Sequence, residues 1–408
     1  RNFPAETAFK LYDTYGFPVD LTQNILAEKK FKLNIDNYES IVKKNKLKQK
    51  ETWTGNTEKS GEKIFHNLKD KEKSTIFLGY EKTQSLSKLS RIIKNNNFEK
   101  YLKEDQSDVV LIFDKTPFYA ESGGQVGDSG DLVNQDGKFI GKIIDTKKID
   151  NHIFLHFLDN NKLPLTVNEK YNLLIDHKRR EKIRNNHTAT HLLHESLRQT
   201  LGDHVSQKGS LVNDQKLRFD FTYNDQLNDD QVSTIEKIVN SSIRSDIKLK
   251  IDFMPVKEAI KRGAIALFGE KYPEKARVVF FVNKSKANNF SSIELCGGTH
   301  TASTGLIGSF KILGESSISS GIRRIEAITG EQVDDFFKKK IDLLNEIKNI
   351  LKASDNDVKE KIINLKNELS ELRKESNRSQ LNFSENKIIF HQSYKIYFEE
   401  FDVNPKEL

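Results

Sequence analysis

The chain has 408 residues and a polar but globular composition, with 36% hydrophobic and 31% charged residues. No segment approaches the roughly 20 apolar residues that a membrane-spanning helix requires, so we expect no membrane association. The single cysteine excludes an internal disulfide framework and is typical of a reducing compartment, so we expect a cytoplasmic location. The net charge of +7 permits a polyanionic partner, although a solvated lysine-rich surface explains it equally well.

The length corresponds to two to four domains if each has roughly 100–200 residues. The sequence begins at Arg1 rather than at a methionine, so we expect a processed or excised piece of a longer protein. The overall prediction is an α+β chain. Residues 1–105 are predicted to be mainly helical and basic, with a lysine-rich stretch at Lys43–Lys50 that suits either a solvated helix face or contact with a nucleic-acid backbone.

A small β-barrel is predicted for residues 106–178, because short apolar runs alternate there with Gly, Asn and Asp turns. The predicted strands are Val109–Phe113, Phe139–Ile144, His152–Leu158 and Tyr171–Ile175.

A mixed α+β domain is predicted for residues 179–330. Its predicted helices are Thr188–Gln199 and Val256–Phe268. Its predicted strands are Leu217–Tyr223, Arg277–Val282, Ile307–Leu313 and Ile322–Ile328.

Two long helices are predicted for residues 331–380, where apolar residues recur at spacings of three and four. The polar segment Ser354–Asp357 ends the first helix and caps the second, which predicts an antiparallel helical hairpin. Residues 381–408 are predicted to begin a further domain that the chain truncates.

Two short motifs indicate a metal site. His187 and His191 stand at i and i+4 of a predicted helix, so both imidazoles project from one face. Cys296 and His300 flank Gly297-Gly298-Thr299, where the glycines allow a loop to fold back on itself. Three imidazoles and a thiolate form the donor set that selects zinc.

The role of this zinc is left open by the sequence. Four ligands would close a structural site, whereas a catalytic site keeps one position for water or substrate. Thr188, not a glutamate, follows His187, so the general base of HExxH proteases is missing and peptidase chemistry is disfavoured.

These motifs and several others resemble alanyl-tRNA synthetases over nearly the whole chain. Asn185-Asn-His-Thr-Ala-Thr-His-Leu-Leu-His194 and Cys296-Gly-Gly-Thr-His300 are similar to the editing domain of that family. The other similar segments, in the family's order, are Ala8–Pro18 (end of the aminoacylation and tRNA-recognition part), Lys115–Gly127 (accompanying β-barrel), Gln207–Leu211, Leu217–Phe221 and Gly321–Gly330.

The resemblance implies an activity and a set of partners. Enzymes of this family attach alanine to tRNA(Ala) with ATP and Mg²⁺, and their editing domain hydrolyses serine or glycine esters formed by mistake. We expect the ATP-using core to lie outside this sequence, so that the piece acts only as an ester hydrolase. The resemblance also implies one Zn²⁺ ion per chain, held by His187, His191, Cys296 and His300; the oligomeric state stays open.

Further polar residues are candidates for the site. Gln207 and Thr190 are predicted to be catalytic, Gln207 because its amide both donates and accepts hydrogen bonds. Lys208 is predicted to contact RNA. Glu121 belongs to a Gly-rich loop that suits a simple barrel turn, a backbone cradle for the RNA 3′ end or the floor of the active site.

Three other positions allow two interpretations each. Arg323 and Arg324 alternate on a predicted strand, so we expect one to pair internally and the other to face solvent or RNA phosphate. Phe118 and Tyr119 suit core packing better than stacking on a terminal base.

Rival functions remain open at this level. One is a free-standing aminoacyl-tRNA deacylase or the related editing domain of threonyl-tRNA synthetase, which the segment Phe9–Pro18 disfavours. The other is a non-catalytic tRNA-binding module stabilised by zinc. Whether zinc activates water or positions the substrate is likewise left open.

Overall fold

The computed structural model describes residues 2–9, 22, 26, 31–35, 37–38, 40–41, 74–149, 152–266, 272–285, 288–380 and 388–397. The chain divides into two compact units, residues 1–333 and 334–408. Among the described residues, no helix combines the length and apolarity needed to span a membrane. Most of the Ala8–Pro18 segment and all of Lys43–Lys50 lie outside the described residues.

The first described residues form a small packing nucleus. Asn2–Phe3 pairs in parallel with Lys32–Leu33, and residues 5–9 are helical. Ala5, Ala8 and Tyr38 are buried together.

A closed six-stranded antiparallel barrel follows. Its strands are β1 (Gln84–Lys94), β2 (Ser107–Phe113), β3 (Gly130–Val133), β4 (Phe139–Ile149), β5 (Ile153–Asn161) and β6 (Lys170–Ile175). They pair in the order β6-β3-β4-β5-β2-β1, and β1 pairs with β6 to close the barrel. Alternate side chains fill the interior, among them the fully buried Leu89, Leu111 and Leu173.

The helical prediction for residues 1–105 is wrong at its C-terminal end. Strand β1 and the short strands Asn97–Glu99 and Tyr101–Leu102 lie within that range. In β1 a period of two is present, since Ser87 and Leu89 are buried while Leu86 and Lys88 are exposed. Its serine and lysine content hid that alternation, because only the packing of the barrel decides which of these residues face inward.

The part that follows the barrel is built around one long helix, α1 (His177–Leu201). Asp176 caps its first turn by accepting a hydrogen bond from the Arg179 backbone N–H. Helix α1 contacts strands of two sheets and a second helix, so thirteen of its residues are buried despite its polar sequence.

The two sheets are antiparallel. One has the order β7 (Gln207–Val212), β8 (Leu217–Thr222), β13 (Ile322–Thr329), β12 (Phe310–Ser319). The other has the order β9 (Lys250–Pro255), β10 (Lys275–Ser285), β11 (Asn288–Leu295). The other helices are α2 (Asp229–Arg244), α3 (Val256–Lys261) and the 3-10 turn Thr304–Ile307.

Several predicted elements differ from the structure in their bounds. The predicted helix Thr188–Gln199 is part of α1, which begins at His177. Helix α3 ends at Lys261, well before the predicted Phe268, because Gly263 adopts a φ of +89° that stops the helix. The closing strand predicted from Ile307 begins at Phe310, since Ile307 belongs to the 3-10 turn. Helix α2 was not predicted, although Asn228 and Gln231 form a capping box at its start.

The second unit contains most of α4 (Glu331–Leu351) and all of α5 (Val358–Gln380), two helices at the predicted positions. Both expose apolar side chains such as Leu344 and Leu369. Their packing into an antiparallel hairpin stays a prediction. Strands β14 (Ile388–His391) and β15 (Tyr394–Tyr397) pair antiparallel within residues 381–408.

Candidate metal centre

Helix α1 supplies two imidazoles to the interior of the first unit. His187 and His191 are each only 5% exposed, and their rings lie parallel with centroids 5.3 Å apart. The one-turn spacing predicted this arrangement. Burial of the whole helix between two sheets brings both rings to the end of β11.

The loop after β11 supplies the other two predicted ligands. The ligand atoms of His187, His191, Cys296 and His300 all lie within 4.8 Å of one another. Cys296 Sγ is 3.4 Å from His187 Nε2, and the His300 ring centroid is 4.4 Å from that of His187. The structure therefore brings together the four residues that the two motifs singled out.

Gly298 lets the loop approach the helix this closely. A Cβ atom at Gly298 would lie 2.0 Å from His187 Cε1 and 2.4 Å from its Nδ1, a severe overlap with a buried ring. At the neighbouring Gly297 the nearest atom would be the Tyr80 hydroxyl at 4.0 Å. Only one glycine of the pair is required for the contact.

Gln125 orients the His187 ring from the barrel side. Its Oε1 lies 2.8 Å from His187 Nδ1 and also accepts from the Thr299 backbone N–H at 2.9 Å. Its Nε2 donates to the Thr299 hydroxyl at 2.9 Å. Gln125 is fully buried and fixes both a ligand ring and the ligand loop, with Nε2 of His187 left facing Cys296.

Glu294 has the same role for the second imidazole. One carboxylate oxygen lies 3.0 Å from His191 Nδ1, and the other lies 3.0 Å from His194 Nδ1. A carboxylate on the far nitrogen of a ligand histidine fixes its tautomer and its ring orientation. His194, three residues after His191 on the same helix, therefore binds the supporting carboxylate.

Two further side chains hold the carbonyl groups of the ligand loop. The Tyr80 hydroxyl donates to the Gly297 carbonyl at 2.7 Å. The Arg277 guanidinium donates to the carbonyls of Cys296 and Gly298 at 2.7 and 3.1 Å. Arg277 also lies over the Tyr80 ring at 4.5 Å, so the two side chains brace each other.

The electrostatics of the cluster favour the ligand forms of Cys296 and His300. Burial raises the pKa of the Cys296 thiol, but the neighbouring imidazoles, His187 foremost, outweigh it and hold that pKa well below its usual range. Burial and the charge of His187 lower the pKa of His300 well below its usual value. A thiolate and a neutral imidazole are the forms that bind a metal ion.

Glu294 and His191 form an ion pair. Burial lowers the pKa of His191, but the charges of Glu294 and Cys296 outweigh it and raise that pKa above its usual value. Burial raises the pKa of Glu294, yet His191 and His194 hold it well below its usual range. A cation bound at His191 would compete with its proton.

The donor set fits a zinc ion by two independent tests. First, Nε2 of His191 and both ring nitrogens of His300 are buried without a hydrogen-bond partner among the described residues, and each of these two residues offers one such nitrogen to the cluster. Buried polar atoms rarely lack partners, so such atoms point to an ion. Second, the Cys296–His187 separation of 3.4 Å is close to the roughly 3.5 Å edge of a tetrahedron with zinc–ligand bonds of 2.0–2.3 Å.

The cluster opens into a cavity of about 390 Å³ that extends from the ligand loop to the barrel. Thr190 and Gln207, the predicted catalytic residues, both line it. The Thr190 hydroxyl donates to the Asn186 carbonyl at 2.8 Å within its own helix. The Gln207 amide has no hydrogen-bond partner among the described residues and is half-buried, so it is available to a substrate.

The remaining predicted residues lie farther from the cluster. Lys208 and Glu121 are exposed. In the Glu121 loop, Ser122 and Gly123 line the cavity, so the loop forms part of its wall as well as a barrel turn. Phe118 is fully buried, as core packing predicted.

Both arginines of β13 pair with carboxylates, whereas internal pairing was predicted for only one of them, and contact of the other with RNA stays a prediction. Arg323 pairs with Glu315 of β12, and Arg324 binds Asp220 of β8 through two hydrogen bonds of 2.7 and 2.9 Å. Strand β13 lies between β12 and β8, so each arginine finds a carboxylate on one neighbour. Sequence alternation alone does not reveal what the two flanking strands carry.

Sequence reasoning missed Glu294, Arg277 and Tyr80, and it gave no role to Gln125. The available signal was weak in each case: Glu294 stands two residues before Cys296, and Gln125 ends the polar Gly-rich loop. Their contacts join elements far apart in the chain.

Comparison with known proteins places these features in a family. Residues 277–326, which include Cys296 and His300, match the model of the threonyl and alanyl tRNA synthetase second additional domain. Residues 1–179 match the model of class II (A) tRNA synthetases. The chain is 39% identical to the alanine–tRNA ligase of Sinorhizobium medicae over 376 residues, 91% of this chain and 42% of that protein.

Two other relatives give the same result. The alanine–tRNA ligases of Rickettsia massiliae and Rickettsia felis are 39% and 40% identical over 92% and 91% of this chain, which covers 42% and 41% of them. The chain belongs to the alanyl-tRNA synthetase family. It spans less than half the length of these relatives, and their printed name makes each of them an aminoacyl-tRNA synthetase.

Proposed function

We propose that this chain is the editing part of an alanyl-tRNA synthetase and hydrolyses the ester that joins serine or glycine to tRNA(Ala). The observation that carries the proposal is the His/Cys cluster at one end of a 390 Å³ cavity lined by uncommitted polar groups. The match of residues 277–326 to a domain of threonyl and alanyl tRNA synthetases supports it. From the name of the relatives we also infer that the whole enzyme attaches alanine to tRNA(Ala), with ATP and Mg²⁺ used in that reaction.

The proposed cofactor is one zinc ion held by His187, His191, Cys296 and His300. When bound, zinc supplies a positive charge that polarises a water or a substrate oxygen. Since Cys296 lies among the ligands, we propose direct attack by water without a covalent intermediate. Zinc there would account for Nε2 of His191 and for one of the two unpartnered ring nitrogens of His300.

The chain's own residues position the substrate. An aminoacyl ester is already activated, so hydrolysis depends mainly on placement of water and stabilisation of charge. The Gln207 amide, which lines the cavity, donates to and accepts from the substrate's polar groups. Gln125 and Glu294 keep the His187 and His191 rings fixed during the reaction.

The same geometry would protect the correctly charged alanyl-tRNA(Ala) from hydrolysis. A cavity whose polar groups hydrogen-bond a serine hydroxyl leaves those groups unpaired when the alanine methyl takes its place. We therefore expect seryl-tRNA(Ala) to be hydrolysed faster than alanyl-tRNA(Ala).

The decisive experiment measures deacylation of seryl-tRNA(Ala) and alanyl-tRNA(Ala) by the chain as purified, with and without a zinc chelator. We expect about one zinc per chain by elemental analysis and chelator-sensitive hydrolysis of the seryl ester. The double variant His187→Ala, Cys296→Ala should lose both metal and hydrolysis, while the exposed-histidine variant His204→Ala retains both. Stoichiometric zinc without hydrolysis would instead make this a zinc-stabilised tRNA-binding module.

A further inference from the structure

Lys148 is a half-buried lysine for which no described residue supplies a counter-ion. It lies near the end of β4 and lines the same cavity as the His/Cys cluster. Its side chain is half-buried, and no carboxylate or hydrogen-bond acceptor among the described residues reaches its ammonium group. Burial lowers the pKa of this lysine, a sign that its charge is incompletely solvated.

The adjacent Lys147 shows what is unusual about Lys148. Lys147 points to the other face of β4, is 53% exposed, lies 3.8 Å from Asp145 and stands over the Phe157 ring at 5.8 Å. It is an ordinary surface lysine. Lys148 instead lines the cavity, where an anionic ligand would neutralise its charge.

An aromatic wall connects Lys148 with the ligand loop. Phe154 stands opposite Lys148 in the β4–β5 pair and stacks on Phe77 with ring centroids 5.6 Å apart. Phe77 contacts Tyr80 edge to face at 4.9 Å, and Tyr80 donates its hydroxyl to Gly297. Phe77, Tyr80 and Phe154 all line the cavity, so one continuous surface leads from the metal end to the lysine.

We propose that this barrel side of the cavity is a binding subsite for the terminal nucleotide of the aminoacylated strand. Lys148 binds the phosphate on the 5′ side of that nucleotide, and the wall of Phe77, Tyr80 and Phe154 contacts the nucleoside. The proposal rests on the proposed function, because an ester at the metal end must carry its nucleoside beside it. Single-stranded ends are held by aromatic contact and by cations on the backbone.

The test uses two stable amide analogues, 3′-seryl-amido-3′-deoxyadenosine with and without a 5′-phosphate. Binding to the zinc-loaded protein is measured by calorimetry at low salt. We expect the wild type to bind the phosphorylated analogue about tenfold more tightly. Lys148→Gln should bind both analogues equally, and Lys147→Gln should keep the wild-type preference, with zinc content unchanged in both variants.

Two further measurements separate the parts of the subsite. Phe77→Leu should weaken the binding of both analogues alike, by about tenfold, since contact between an aromatic ring and the base does not depend on the phosphate. For seryl-tRNA(Ala), Lys148→Gln should raise KM but not change kcat. Its log KM should depend less steeply on log salt, by about 0.7 for one lost phosphate contact.

The outcomes also distinguish this inference from the proposed function. A phosphate preference that survives Lys148→Gln, or that Lys147→Gln abolishes equally, overturns the subsite even if seryl-tRNA is hydrolysed. A wild type that never shows the preference overturns it too. If the phosphate preference is lost only in Lys148→Gln but the protein hydrolyses no ester, the subsite is supported and the proposed hydrolase function is wrong.

Discussion

The two sides of the cavity differ in how their residues are related along the chain. The metal side consists of His187 and His191, four residues apart on one helix, and Cys296 and His300, four residues apart in one loop. On the barrel side, Tyr80 and Lys148 line the cavity, and the fully buried Gln125 holds the His187 ring; these three residues belong to separate segments of the chain. The comparison shows that the ligand set is local in sequence while its support is distributed over the fold.

The metal side of the cavity should lose its affinity for zinc when a side chain blocks the close approach of the Gly298 backbone to His187. Gly298→Ala places a Cβ atom 2.0 Å from His187 Cε1, so the loop or the ring must move. We expect zinc affinity to fall by at least about a hundredfold and seryl-ester hydrolysis to fall with it. Competition with a chromophoric chelator measures the affinity.

Gly297→Ala is the matched control, because its Cβ atom meets nothing closer than 4.0 Å. It should bind zinc like the wild type. Equal losses in the two variants would show that loop flexibility, not the contact with His187, matters at this pair.

The barrel side should act on the metal through Gln125. Removal of its hydrogen bonds to His187 and Thr299 in Gln125→Ala should weaken zinc binding about ten- to a hundredfold, the usual effect of losing a partner of a metal ligand. Gln125→Glu keeps an acceptor for His187 Nδ1 and should retain most of the affinity. In cobalt-substituted protein, the visible absorption of Gln125→Ala should differ from that of the wild type, and the loop control Gln215→Ala should have the wild-type spectrum. Identical spectra for the wild type, Gln125→Ala and Gln215→Ala would remove Gln125 from the metal centre.

Gln207 should affect the reaction without affecting the metal. Gln207→Ala removes a cavity-lining amide that has no other hydrogen-bond partner among the described residues. We expect hydrolysis of the seryl ester to slow about tenfold, equivalent to about 1.4 kcal/mol of transition-state stabilisation. Zinc content should stay at the wild-type level, and an unchanged rate would exclude the residue from the site.

His156, which is buried in the barrel, should have the smallest effect on hydrolysis, and its substitution should instead change how the free energy of unfolding depends on pH. Burial lowers the pKa of His156 to about 4, despite a hydrogen bond to Leu111 that acts in the opposite direction. An unfolded chain has a histidine pKa near 6.5, so between pH 6.5 and 4 the unfolded state binds more protons and stability falls as pH falls. The loss amounts to roughly 3 kcal/mol by pH 4 and vanishes above pH 6.5.

Urea unfolding followed by circular dichroism checks this dependence. His156→Gln should show a flatter decline in the unfolding midpoint from pH 7 to pH 4 than the wild type. The exposed-residue control His204→Gln should keep the wild-type decline, and parallel curves for all three proteins would show that His156 does not govern acid stability.

The sequence alone predicted the four residues that the structure brings together as a candidate metal site, and it predicted four of the six barrel strands. An i, i+4 pair on a helix and a Gly-Gly loop between Cys296 and His300 are local patterns, whose geometry follows from short-range backbone rules. Alternation of apolar residues likewise indicated strands such as β2 and β4. The same local signals failed at β1, where serines and lysines occupy a strand, and at α3, where Gly263 ends the helix early.

Only the tertiary structure decided which groups support the ligands. Gln125 reaches His187 across 62 residues and Thr299 across 174, and Tyr80 reaches Gly297 across 217. Neither Arg323 nor Arg324 is free, because carboxylates on both neighbouring strands meet them. Such contacts depend on how the barrel and the two sheets pack around α1, and no local pattern encodes that packing.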